Sequence, residues 1–157
     1  MVKWTADDMP DQHGRTALVT GANSGLGWET ALALARKGAH VVMACRSVSK
    51  GETARDQIVQ QVPGASLELL SLDLSSLDSV RQAAETFRAR HDRLDLLFNN
   101  AGVMALPYSK TADGFEMQFG VNHLGHFALT GLLIDRLIAT PGSRVVTTTS
   151  SAAFYGR

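Results

Sequence analysis

Five short apolar runs alternate with helical patterns along this chain with little between them, and no other feature restricts its fold as much. Strands separated by helices run parallel, because each helix carries the chain back across the sheet. Right-handed crossovers then distribute the helices over both faces. The runs lie at residues 15–20, 40–44, 67–72, 94–98 and 144–149. The second is apolar throughout, as suits a strand covered on both faces, and the last is rich in β-branched residues. Trp28, Ala31, Leu32 and Ala35 fall at i, i+3, i+4 and i+7 of a first helix that Gly38 stops. Ser49 with Glu52 reads as a capping box opening a second helix, which Pro63-Gly64 ends. Ser75 with Asp78 resembles a third helix start ahead of the stripe Val80, Ala83, Ala84 and Phe87. One long helix is expected to carry Val121, Leu124, Gly125, Ala128 and Leu132 on one face, broken by Pro141-Gly142. The pattern predicts an α/β, Rossmann-type doubly wound parallel sheet of strand order 3-2-1-4-5. It occupies one domain, residues 15–157, behind a polar N-terminal segment, residues 1–14.

Composition narrows the partners. Fifteen basic and fifteen acidic residues balance, and no basic stripe is present to displace counterions, so nucleic acid is not an expected partner. Cys45 is the only cysteine, which rules out a disulfide within the chain and makes a reducing compartment its natural setting. Residues 1–10 are polar, carry Asp7 and Asp8, and have no apolar core of a secretory signal. The longest apolar stretch, residues 128–139, is interrupted by Asp135 and Arg136 and is too short to span a bilayer. A cytoplasmic location without a membrane partner is the expectation.

The chemistry-bearing motifs sit at predicted strand ends, where open α/β sheets bind ligands. Thr20-Gly21-Ala22-Asn23-Ser24-Gly25-Leu26-Gly27 directly follows Ala17-Leu18-Val19. A strand entering a glycine turn and then a helix aims backbone N–H groups and a positive dipole end at one point, a natural seat for a pyrophosphate. On spacing alone, an ordinary strand–helix turn remains open. Asp73 follows the third strand and Asn99-Asn100-Ala101-Gly102 the fourth, with plainer readings as a helix start and as turn material. Dinucleotide sites for NAD usually place an acidic residue ~20 positions past the glycine loop. Here that strand end reads Ala44-Cys45-Arg46-Ser47. The planar fork of Arg46 suits a 2′-phosphate, and Lys50 adds charge nearby, so NADP is expected over NAD; a solvated arginine is the alternative. His123 and His126 stand three apart, yet no further ligand lies at a zinc-site spacing, and no metal is expected.

Taken in order, the T-G-x-x-x-G-x-G turn, Asp73, residues 99–102, residues 119–127 and the Ser150-Ser151 pair resemble the short-chain dehydrogenase/reductase family from about Arg15 onward. Ala44-Cys45-Arg46 and residues 107–115 are similar to the branch containing retinol dehydrogenases and their bacterial relatives. The resemblance implies an NADP-dependent oxidoreductase that exchanges hydride with a small-molecule carbonyl or alcohol. It implies Gly21, Asn23, Ser24, Gly25, Leu26 and Gly27 around the pyrophosphate and Arg46 at the 2′-phosphate. Asp73 and Leu74 would meet the adenine, and Asn100 and Ala101 the nicotinamide-side ribose. Asn122 would support a proton relay through water, or simply bond nearby backbone. Ser151 would hydrogen-bond the substrate carbonyl, with Ser150 as the alternative.

The family's Tyr-x-x-x-Lys motif is not found. Tyr155 stands too close to Ser151 and has no lysine after it, and the sequence ends at Arg157. A positioned general acid is worth roughly 10²–10⁴-fold in rate, so impaired turnover is expected. The expectation is a C-terminally truncated member lacking the last strands and helices of the family. The rival readings are a non-catalytic NADP-binding module or a poorly folding gene remnant. Residues 144–149 would then form an exposed edge prone to strand addition, with self-association through it and the long helix.

Overall fold

The computed structural model describes residues 4–150. Ser151 and Tyr155, both weighed above, lie outside the described residues. The elements are β1 (Thr16–Thr20), α1 (Gly25–Arg36), β2 (His40–Cys45), α2 (Val48–Gln61), β3 (Leu67–Ser71), α3 (Leu77–Arg90) and β4 (Leu96–Asn99). Then come α4 (Met117–Phe119), a π-helical segment (Gly120–Leu124), α5 (Gly125–Leu132), α6 (Ile134–Ala139) and β5 (Arg144–Thr147). Among the described residues the strands form one parallel sheet in the order β3-β2-β1-β4-β5, the order that the alternation predicts.

Period-two alternation divides the core. Leu18, Val42, Leu70 and Leu97 point to one face, where Val80 and Phe87 of α3 and Leu129 of α5 cover them. Ala17, Val19, Val41 and Met43 point to the other, under Ala31 and Leu34 of α1 and Ile58 of α2. Burying each Leu, Val, Ile or Phe is worth about 1.5–3 kcal/mol. These two layers therefore dominate the stability of the fold and hold the strand ends in register.

Several local expectations shift. The cap of α2 is Ser47, whose hydroxyl accepts from the Lys50 N–H at 3.4 Å, rather than Ser49. The cap of α3 is Ser76, accepting from the Ser79 N–H, rather than Ser75. Neighbouring serines offer the same chemistry, and the chain path chooses between them. The expected single long helix is instead broken into segments. A π-helical turn at Gly120–Leu124 rotates the following residues, and Leu133 (φ −105°, ψ 4°) separates α5 from α6. The side chains that enter the core are consequently Val121, Leu129, Leu133 and Leu137, whereas Leu124, Ala128 and Leu132 are only partly buried.

The N-terminal segment packs on the domain. The Gln12 N–H donates to the Lys37 carbonyl at 2.8 Å, and Lys37 Nζ donates to the Asp7 carbonyl at 2.8 Å. At the opposite edge, β5 is exposed along its length. No helix among the described residues is long and apolar enough to cross a membrane.

Candidate cofactor site

A cleft of about 620 Å³ opens across the C-terminal ends of the strands. It brings together Gly21, Asn23, Ser24, Leu26, Arg46, Asp73, Leu74, Asn100 and Ala101, nine of the sequence-predicted site residues. Gly25 and Gly27 stand behind this wall, in the first turn of α1.

The floor is the glycine turn. Gly21 takes φ +67°, a left-handed conformation that glycine adopts without penalty, and its N–H donates to the Ala44 carbonyl at 2.8 Å. A Cβ there would meet Ala101 at 3.0 Å. Gly27 is buried, and a Cβ on it would collide with the Gly21 carbonyl and the Asn100 amide. The helix and the two strand-end turns therefore touch backbone to backbone. Ser24 occupies the N-cap position of α1 in extended conformation, and its side chain makes no capping bond. The first turn of α1, next to the cleft-lining Ser24 and Leu26, thus has no capping bond from Ser24, and the helix dipole there favours an anion.

Thr20 ties this floor to the rest of the site. Its hydroxyl oxygen accepts from the N–H groups of Asn100 (2.9 Å) and Ala101 (3.0 Å), and its carbonyl accepts from Asn100 Nδ2 at 2.9 Å. It also lies 2.9 Å from His126 Nε2. His126 Nδ1 lies 3.0 Å from the Asn122 carbonyl, which can only accept, so Nδ1 carries the proton and Nε2 offers a lone pair. The Thr20 hydroxyl proton then goes to Nε2, although the Phe98 carbonyl stands 3.2 Å away. Burial lowers the His126 pKa and keeps this ring neutral. An imidazolium would force a third donor onto the Thr20 oxygen. Neither Thr20 nor His126 was assigned a site role from the sequence. The signal was the four-residue spacing of His126 from Asn122, which puts both on adjoining turns.

Asn122 sits in the π-helical turn, and its amide clasps one residue of the loop after β4. Oδ1 accepts from the Val103 N–H and Nδ2 donates to the Val103 carbonyl, each at 2.8 Å. The plainer of its two sequence readings is thus the contact present. Asp73 lines the cleft, and its Oδ1 accepts from the Ser75 N–H (2.9 Å) and hydroxyl (2.6 Å), in the turn before the Ser76 cap. Leu74 is held under α5, where a Cβ on Gly125 would press the Leu74 carbonyl. Arg46 is exposed at the end of β2, beside Cys45, whose thiol burial pushes upward in pKa. His123 stacks between Phe119 and Phe127, with ring centroids at 5.3 and 6.3 Å, away from His126's hydrogen bonds.

The family model described as short chain dehydrogenase matches residues 15–157. Retinol dehydrogenase 12 of Mus musculus is 51% identical over 144 residues, covering 92% of this chain and 46% of that protein. Retinol dehydrogenase 13 of Homo sapiens is 48% identical over 143 residues, covering 91% and 43%. This chain therefore spans about half the length of the curated relatives it matches. Among solved structures, an uncharacterized protein from Mycobacterium paratuberculosis superposes with a TM-score of 0.85 at 49% identity, covering 98% of this chain and 53% of that one. A short chain dehydrogenase from Shigella flexneri, complexed with NADP, superposes at 0.80 and 27% identity, covering 93% and 63%. A fold, a strand-end cleft and a sequence that agree over nine-tenths of its length place the chain in the short-chain dehydrogenase family.

Proposed function

We propose that this chain binds NADP(H) in the strand-end cleft and supplies the cofactor half of an oxidoreductase that interconverts a small-molecule alcohol and carbonyl. The observation that carries the reading is the side-chain-free N-terminus of α1 opening into a cleft edged by Arg46. The residues present fit the group. N–H groups at the start of α1 receive a pyrophosphate over the floor that Gly21 forms, and the Arg46 guanidinium meets a 2′-phosphate that NAD lacks. Asp73 and Leu74 flank the adenine, and Asn100 and Ala101, locked by Thr20, position the nicotinamide-side ribose. When bound, the nicotinamide supplies or accepts a hydride. Asn122 holds the loop at Val103 beside that end of the cleft and supports a proton relay. Ser151 donates to the substrate oxygen. Solved relatives complexed with NADP and NADPH support the cofactor. The relatives named retinol dehydrogenase make an apolar primary alcohol and its aldehyde the first substrates to try.

Calorimetric titration with NADPH and NADH tests the reading. NADPH is expected to bind more tightly, and Arg46→Ala should weaken it about tenfold or more, since a charge-assisted hydrogen bond is worth about 1.5–3 kcal/mol. NADH binding should be unchanged in that variant. Tighter NADH binding in the unmodified chain, or equal losses for both cofactors, overturns it.

A further inference from the structure

Away from the cleft, at the N-terminal ends of the strands, three side chains from separate elements converge. His40 opens β2, Glu68 is the second residue of β3, and His91 follows the last turn of α3. Glu68 Oε2 lies 3.0 Å from His91 Nε2 and 3.6 Å from His40 Nε2, and the three ligand atoms all fall within 4.8 Å of one another. His40 Nδ1 lies 2.7 Å from Ser66 Oγ, and Arg90 Nη1 donates to Glu68 Oε1 at 2.6 Å. His40 Nε2 is buried without a hydrogen-bond partner. His40 Nε2 and His91 Nε2 both face Glu68 Oε2, at 3.6 and 3.0 Å. In the tautomer where Ser66 accepts from His40 Nδ1, Nε2 turns a lone pair toward this carboxylate, and a cation can take the place of the protons between the three groups.

We propose that His40, Glu68 and His91 bind Zn²⁺, clamping β2, the edge strand β3 and the end of α3 together. A tetrahedral zinc ion with bonds of about 2.0–2.1 Å sets its ligand atoms about 3.3 Å apart. The observed 3.6 and 3.0 Å separations bracket that value. Two imidazoles and one carboxylate form an established zinc donor set, whereas Ca²⁺ and Mg²⁺ select oxygen ligands. The supporting contacts are also in place. Ser66 fixes the His40 ring, Arg90 fixes the carboxylate, and Phe87 packs on His91 with centroids 4.7 Å apart. The three side chains keep 14–30% of their surface exposed, so an ion enters from solvent and a water completes its shell. The Arg90 charge works against the cation and holds the affinity below that of a four-ligand site. Because these residues lie at the strand ends opposite the cleft, the clamp is independent of cofactor binding. Sequence spacing gave no hint of it, since the ligands stand 28 and 23 residues apart.

The test is titration of the chelator-treated full chain with ZnCl₂ by calorimetry, followed by thermal melting with and without zinc. One equivalent is expected to bind, with a rise in Tm that a chelator reverses. His40→Gln and His91→Gln should each weaken zinc by more than about a hundredfold, and Ser66→Ala by about tenfold, in the range of outer-shell losses. His123→Gln should change nothing. The unmodified chain loaded with Co²⁺ should show the intense visible bands of a four-coordinate site, a readout that survives if a histidine variant fails to fold. No saturable binding, binding that outlasts both histidine substitutions in folded protein, or only the faint spectrum of six-coordinate cobalt overturns the proposal.

Discussion

The two ends of the sheet are built on opposite electrostatic plans. At the C-terminal ends, neutral groups saturate one another: Thr20, Asn100, Ala101 and His126 form a closed network, while the first N–H groups of α1 have no side-chain acceptor. At the N-terminal ends of β1 and β4, charges are matched with charges. Asp95 is buried beside β1, and its carboxylate receives Arg93 through two bonds of 2.8 and 2.7 Å and the Thr16 N–H at 2.9 Å. Arg15 stands 3.5 Å off. Burial pushes the Asp95 carboxyl upward, but Arg93, the Thr16 N–H and Arg15 outweigh it and leave the pKa below the ordinary value. The Asp95 group is compensated and holds the fold; the first turn of α1 leaves donors uncompensated and so has something to offer an anion. Ligand capacity follows from that residual polarity, not from the amount of polar surface.

Substitutions can break the contrast, beginning with the largest effect. Gly27→Ala drives a Cβ into the Gly21 carbonyl and the Asn100 amide. A loss of about 3 kcal/mol is expected, the upper part of the overpacking range. NADPH titration of the surviving folded protein should be silent, and wild-type affinity in this variant would refute the tight floor. Thr20→Val keeps the shape but strips the acceptor from two N–H groups and the donor from His126. About 2–3 kcal/mol should be lost by chemical denaturation, given about 1–3 kcal/mol per orphaned buried group, together with weaker NADPH binding.

Asp95→Ala leaves the Thr16 N–H without its acceptor and should cost about 1–3 kcal/mol while NADPH affinity holds. Equal damage to binding would erase the distinction between the ends. Acid titration sharpens the same point. Because the folded Asp95 pKa is depressed, its contribution is present above the ordinary carboxylate range and is lost as pH falls through the folded value. A melt series in Asp95→Ala should lack that component.

The smallest effect belongs to His126. Its folded pKa is lowered by burial, so the unfolded chain takes up a proton first. Stability should fall as pH drops below about 6.5, the free-histidine value, and level off once the folded ring is protonated too. The slope of Tm against pH, compared with His126→Gln, isolates this group; identical slopes would show that the ring is not held neutral.

Much of this was legible beforehand. Alternating runs such as Ala17-Leu18-Val19 and Val41-Val42-Met43 announce their two faces directly, because side chains on a strand alternate sides. The strand order and the gathering of Gly21, Arg46, Asp73 and Asn100 at one end follow from parallel winding. Less legible were the choices between equivalents. Ser47 against Ser49, and Ser76 against Ser75, differ in position and not in chemistry. The break in the long helix was hard to read because the residues near its junctions, Gly120, Gly125 and Gly131, weaken a helix without forbidding one. Asn122 reaches across to Val103, and His126 reaches across to Thr20, contacts spanning 19 and 106 positions.

By itself, the sequence determined the fold class, the family and the end of the sheet where a dinucleotide belongs, because hydrophobic period and turn chemistry act locally and repeat along the chain. Only the tertiary structure decided which neutral groups lock that site, which charges are spent on one another, and that His40, Glu68 and His91 meet at the far end. Those outcomes depend on distances between residues remote in sequence, and no local pattern encodes them.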